Sequence, residues 1–299
     1  MATTSTALAG RPAFRQRGKQ AAEALRRAPL IPLAIIVIVV FTATFAPLLT
    51  PHSTTQPSLA DRLTPPVWQE GGSWENPLGT DALGRDLATR LMYGGRVSML
   101  VAVFTLAIGG GIGTAIGLVS GYFGGRVDAI CMRSADSTLA FPIILFAILL
   151  VVAVGPNLAN VVVAIALVLW ARYARVIRGE VLALKERDFI ARARVAGCSH
   201  LRILLFHLFP NTVNTLLVLL TLQVGWVIIV EASLSFLGAG IPPPTPAWGS
   251  MVSDGREYVD TAWWVSAIPG LAIMLTVVAF NLFGDWLRDT LDPKLRQVS

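Results

Sequence analysis

The chain has 299 residues, 54% of them hydrophobic and only 14% charged, with a mean hydropathy of +0.65. A soluble domain carries about 25% charged residues, so roughly half of the usual solvating surface is missing. That balance excludes a disordered chain and argues against a nucleic-acid binder, despite 24 Lys and Arg against 18 Asp and Glu. Two cysteines, Cys131 and Cys198, make no disulfide framework, and three scattered histidines make no metal cage. The composition is that of a membrane protein.

About 20 apolar residues cross a hydrocarbon core of roughly 30 Å. Leu30 to Leu49 is one such run, free of charge. It follows basic residues, as a secretory signal does, but a signal's apolar region has only about 7 to 15 residues, so this run reads as a retained anchor. Val97 to Phe123 is the second span, bounded by Arg96 and Arg126. From Thr138 to Ala171 there are 34 residues without a charge. Gly155-Pro156-Asn157 divides them into a third and a fourth helix, because proline removes a donor and disfavours helix just before it. The fourth is short and is expected to lean on Trp170 and on Arg172 snorkelling at its end. Val213 to Leu237, charged only at Glu231, is the fifth span, and Ala262 to Phe283 the sixth. The expectation is an all-α integral membrane fold of six transmembrane helices.

Nineteen Lys and Arg fall on one side of these spans and five on the other, namely Arg62, Arg85, Arg90, Arg96 and Arg256. The positive-inside rule then places both termini in the cytoplasm. Both cysteines fall on that reducing side, in keeping with free thiols. The chain divides into a tail at 1–29, a first helix and external loop at 30–96, a body at 97–284, and a second tail at 285–299. Within the body lies a long cytoplasmic segment at about 172–212.

Gly109, Gly113, Gly117, Gly121 and Gly125 recur every four residues along the second helix. That spacing lays a groove on one face, which reads as tight helix packing before any ligand role. In the first external loop, Asp81 and Asp86 flank Arg85, most simply a structural ion-pair knot, among glycines that favour turns and caps. The second external loop, Gly238 to Thr261, is stiff and aromatic, with Pro242-Pro243-Pro244 before Trp248-Gly249. It suits either covering the bundle mouth or receiving a partner. Arg178 to Arg194 is mixed in charge and helix-prone; Gly197 interrupts it, and Pro210-Asn211 precede the fifth span. A short amphipathic helix there either docks into a partner's groove or rests on lipid headgroups. Glu231 is costly in lipid and must face protein or water, as a pathway residue or as a clamp between helices. Gln223, eight residues earlier and near the same helical face, raises the same alternatives. None of the three lysines sits in a phosphate-cradling G-x-x-x-x-G-K-[ST] loop, and no line of charges runs through several spans. Energy for any pumping must come from another subunit.

The run Phe189-Ile190-Ala191-Arg192-Ala193-Arg194-Val195-Ala196-Gly197, with Pro210 at the matching distance, resembles the Glu-Ala-Ala-x-x-x-Gly cytoplasmic loop of ABC importer permeases. More specifically, the chain is similar to the C-type permease of dipeptide, oligopeptide and nickel importers. Supporting stretches include Gly79-Thr80-Asp81, Gly84-Arg85-Asp86, Leu139-Ala140-Phe141-Pro142, Glu231 to Gly238, Trp248 to Met251, and Asn281 to Asp285. Leu287-Arg288-Asp289 and Leu291-Asp292-Pro293 complete the series, so the resemblance covers about residues 30 to 293. Departures are local: Ala191 stands for the glutamate and Arg192 for the first alanine, while His207 and Phe209 replace isoleucine and leucine. Ala193, Gly197 and Pro210 keep their places.

The resemblance implies a type I ABC importer permease of the bacterial inner membrane that takes up di- or oligopeptides and has no catalytic residue or cofactor of its own. It implies as partners a second related permease, two ATPase subunits that bind ATP and Mg, and an external substrate-binding protein. Ala191, Arg192, Ala193, Arg194, Gly197 and Pro210 then belong to the ATPase-coupling loop, and Gln223 and Glu231 are candidates for the pathway. The alternatives are a nickel or other small-solute permease of the same family and, from other classes, a membrane scaffold or a secondary transporter or channel. A secondary transporter would show inverted repeats or intramembrane charge.

Overall fold

A computed structural model describes residues 29–291. The basic residues of the N-terminal tail, and Lys294 and Arg296, lie outside the described residues. Among the described residues the chain is helical, with one isolated bridge, Thr80 to Asp86, in the first loop. Helix α1, Leu30–Leu49, has the bounds expected from its apolar run. It buries little beyond Pro32, Ala43 and Ala46, and lies against α2 and the last helix.

Helix α2 is 37 residues long, Leu87–Phe123, with one widened turn over Leu106–Gly110. It starts ten residues before the expected Val97. Asp86 caps it, its Oδ2 accepting from the Thr89 amide at 2.7 Å, so the polar stretch through Arg90 and Arg96 is helix and not loop. Gly94 and Gly95 lie under the Trp248 indole, which donates from Nε1 to the Leu91 carbonyl at 2.8 Å.

The third span also departs from expectation. Helix α3, Gly125–Ala140, and helix α4, Ile143–Val154, meet at a 92° bend over Phe141-Pro142. Only the twelve-residue α4 is apolar throughout; α3 carries Arg126, Asp128, Arg133 and Asp136. Among the described residues five helices are long and apolar enough to cross a membrane, or six spans if this bent pair is counted as one.

Helix α5, Leu158–Lys185, opens on an Asn157 cap, whose side chain accepts from the Asn160 amide at 2.8 Å. It is 28 residues long, so the fourth span is not short. Arg172 does not snorkel at its end; the guanidinium sits 4.6 Å over the Trp226 ring, mid-bundle. A short helix α6, Asp188–Val195, follows a break at Glu186-Arg187, so the Arg178–Arg194 segment is two helices. Helix α7 runs His200–Phe236 through a widened turn over Leu204–Leu208, helix α8 is Trp248–Gly255, and helix α9 is Trp264–Leu291. Both α7 and α9 extend well beyond their apolar cores at the end that holds α6.

Two apolar clusters organise the bundle. The larger joins α2, α4, α5, α7, α8 and α9 around Val101, Ile165, Ile228 and Trp248. The smaller sits at the other end, around Ile177, Val181, Ile190, Ile203 and Leu208. Gly109, Gly113, Gly117 and Gly121 lie along the α5 backbone: a Cβ on Gly113 would fall 2.3 Å from the Trp170 carbonyl, and one on Gly117 2.7 Å from that of Ala174. Gly125 is off this seam, at a positive φ of 55° just past the helix end, with nothing within 4 Å of a Cβ.

Candidate functional site

At the α6 end, Ile190 and Ala193 sink into the smaller cluster, while Ala191, Arg192, Arg194 and Val195 are exposed. Gly197 closes the helix. The Cys198 amide donates to the Ala193 carbonyl and the Gly197 amide to that of Arg194, both at 3.0 Å. This pairing requires a left-handed residue, and Gly197 has φ +74°. Cys198 packs back onto the cluster that holds Ala193. The Arg194 guanidinium lies 5.6 Å from the Tyr122 ring centre, and the Tyr122 hydroxyl pairs with His200 Nδ1 at 2.8 Å. Pro210 lies just after the widened turn of α7 over Leu204–Leu208, a local departure from regular helix next to a residue that lacks an amide donor. The outward face is apolar as well as basic: Val195 is 91% exposed, and Leu201 and Phe206 stand open beside it.

Within the bundle the structure separates Gln223 from Glu231. Glu231 is fully buried; Ser98 Oγ donates to its Oε2 at 2.9 Å and Ser235 Oγ to its Oε1 at 2.8 Å. It clamps α7 to α2. Gln223 instead lines a cavity of about 460 Å³ with Arg172, Tyr173, Arg175 and Leu219. This cavity shares Val176 and Leu219 with a second of about 570 Å³ toward the α6 end, walled by Glu180, Asn211, Asn214, Thr215 and Arg288. Sequence reading assigns nothing to Glu180, Asn214 or Arg288. The signal was a lone acid at 180 and two carboxamides one turn apart among apolar residues.

At the opposite mouth, Asp81 Oδ2 accepts from Arg85 Nε at 2.7 Å and lies 3.3 Å from Arg90 Nε. Asp86 takes the cap of α2 instead of joining the knot. Arg90 reaches Asp254 of α8 at 3.9 Å, and the Trp264 indole donates to the Thr80 carbonyl at 3.2 Å, so the two loops at this mouth are stitched together. Partial burial at this rim raises the Asp254 carboxyl above its ordinary value, and Arg90 and Arg85 oppose that shift.

Residues 113–297 match the family described as the inner membrane component of binding-protein-dependent transport systems. The chain belongs to this family. It is therefore a multi-pass membrane permease, the transmembrane component of an ABC importer that works within a larger complex. Among similar proteins, the dipeptide transport system permease protein DppC of Escherichia coli is 45% identical over 268 residues, 90% of this chain and 89% of its own. The di/tripeptide transport system permease protein DppC of Pseudomonas aeruginosa is 42% identical over 267 residues, 89% of this chain and 88% of its own. The dipeptide transport system permease protein of Haemophilus influenzae is 41% identical over 271 residues, 91% and 92% of the two chains. The permease match includes α6, its glycine cap and both cavities.

Proposed function

We propose that this permease takes up di- or oligopeptides, as one of two related membrane subunits served by two ATPases and an external binding protein. The peptide assignment rests on the named relatives, which are 41–45% identical over about nine-tenths of the chain. In this reading both termini and α6 are cytoplasmic, on the side with nineteen Lys and Arg. ATP and Mg are bound by the partner ATPases.

The observation that carries the coupling assignment is the division of α6. Its buried Ile190 and Ala193 fix it to α5 and α7, while Arg192 and Val195 are exposed to meet an ATPase and Arg194 is exposed over the Tyr122 ring. An exposed apolar edge beside basic residues fits a protein groove better than lipid headgroups alone. ATP-driven closure of the ATPases then pushes on α6, opens the bundle to the outside, and hydrolysis returns it.

The test is uptake of radiolabelled dialanine into proteoliposomes holding the complete complex. Accumulation should need ATP on the α6 side and binding protein on the other. Uptake of nickel with no uptake of peptides would overturn the substrate, and ATP-independent uptake would overturn the coupling.

A further inference from the structure

Glu180 stands on α5 and lines the 570 Å³ cavity. Its Oε2 is buried with no hydrogen-bond partner, although the Thr215 side chain addresses the carboxyl from α7. A buried, unpartnered carboxylate oxygen is expensive, and a native structure keeps one only for a reason. The neighbouring cations are committed elsewhere. Arg175 pairs with Asp136, Arg178 pairs with Asp128, and Lys185 Nζ donates to the Gly121 carbonyl. Among the described residues no ion pair joins Glu180 to Arg288, which lines the same cavity from α9. The carboxamides of Asn211 and Asn214 line the same cavity, and Asn211 Nδ2 donates to the His207 carbonyl at 2.6 Å.

This is a set of groups with a chemical complement. A carboxylate takes an ammonium, a carboxamide offers both a donor and an acceptor to a peptide bond, and a guanidinium takes a carboxylate through two parallel bonds. A short zwitterionic peptide carries an ammonium, a peptide bond and a carboxylate, and an extended dipeptide spans only about 7 Å, short enough for one cavity. Neither carboxamide reads a side chain, so the arrangement accepts peptides of varied sequence. Resting on the peptide reading above, we propose that this cavity is a waypoint on the exit side of the pathway, where Glu180 holds the free α-ammonium of the passing peptide. Arg288 faces its carboxylate. Gln223 and the cavity it lines precede this waypoint along the same α5–α7 seam.

The test is protection of a cysteine placed in the wall. Val218→Cys is made in a Cys131→Ser, Cys198→Ser background, and the complete complex is treated with a maleimide in the presence of dialanine or N-acetyl-dialanine. Dialanine should slow labelling, and the acetylated peptide, which lacks the ammonium, should not. Glu180→Gln should raise the half-protecting dialanine concentration about tenfold or more, as expected for losing one charge-assisted hydrogen bond. Equal protection by both peptides, no protection at all, or unchanged protection in Glu180→Gln would overturn the waypoint. If Glu180→Gln fails to assemble, Asn214→Leu at an exposed wall position carries the test: it should abolish protection, and full protection would count against the proposal. Dialanine uptake by the wild-type complex separates the two readings. Uptake without protection removes the waypoint alone, whereas absence of uptake removes the peptide reading.

Discussion

Ser98 and Glu231 are 133 positions apart in the chain and 2.9 Å apart in the fold, the serine on α2 donating to a carboxylate on α7. Ser235, one turn along α7, occupies the other oxygen at 2.8 Å. A carboxyl group at this depth is tolerated because both of its oxygens are hydrogen-bonded, which gives Glu231 the part of a fastener between helices.

That geometry orders three variants. Glu231→Ala strands two hydroxyls and leaves a hole, so it should cost about 1–3 kcal/mol. Ser98→Ala should cost less, and Glu231→Gln least, since an amide can still pair with both serines. Thermal unfolding of the detergent-purified complex measures the series. A Gln variant less stable than the Ala variant would contradict the clamp.

The α2–α5 seam makes a prediction with an internal control. Gly113→Ala and Gly117→Ala each force a Cβ against the α5 backbone, at 2.3 Å and 2.7 Å from carbonyl oxygens. Gly111 sits on the opposite face, with nothing within 4 Å of a Cβ. Gly111→Ala should be neutral or gain up to about 1 kcal/mol from helix propensity, while the other two reduce recovery of folded complex. Gel filtration of fluorescently tagged variants reads this out, and equal yields of all three would place the seam against lipid.

Gly197 permits a finer separation of conformation from bulk. Space beside it is open, so a side chain as such is harmless there; only φ +74° is demanding. Gly197→Asn, which tolerates that region, should keep most transport, and Gly197→Val should lose most of it while the complex still assembles. Dialanine uptake normalised to assembled complex gives the comparison. Matching activity in the two variants would show that the cap does not govern α6.

Orientation is tested at sites chosen by exposure. Cys198 is half-buried against the smaller cluster and is a poor reporter. In cells making the membrane subunits without the ATPases that would cover α6, Val195→Cys in a Cys131→Ser, Cys198→Ser background, at a position 91% exposed, should react with an impermeant maleimide only after cells are opened. Trp74→Cys, 84% exposed in the first loop, should react in intact cells. The reverse pattern would invert the topology.

Hydropathy located α1 to the residue because that helix meets apolar surroundings all around. It truncated α2 and α5 because a charge-free criterion stops at Arg96 and Arg172. Beyond those points most charges meet protein: Arg90 is held by Asp81, Arg178 by Asp128 and Arg172 by the Trp226 ring, while Arg96 is exposed. A buried stripe of Ala171, Ala174, Ile177 and Val181 continues the helical spacing past the first arginine, and following that period recovers the full length of α5. The charge-free run from Thr138 passes over Pro142, which disfavours helix at Phe141, and the 92° angle there depends on what α3 packs against. For the site, local signals sufficed at α6, where Gly197 marks its own cap. The Glu180 cavity draws residues from α5, α7 and α9, and no local pattern assembles those three.

The unbroken length of α5 has a mechanical side. Twenty-eight residues make a rod of about 42 Å, so each degree of tilt at one end displaces the other by about 0.7 Å. Its glycine seam ties α2 to it backbone against backbone, and Ile190 anchors α6 near its far end. A tilt imposed at the α6 end would therefore be carried by α2 and α5 together to the far end of the bundle, as a two-helix lever.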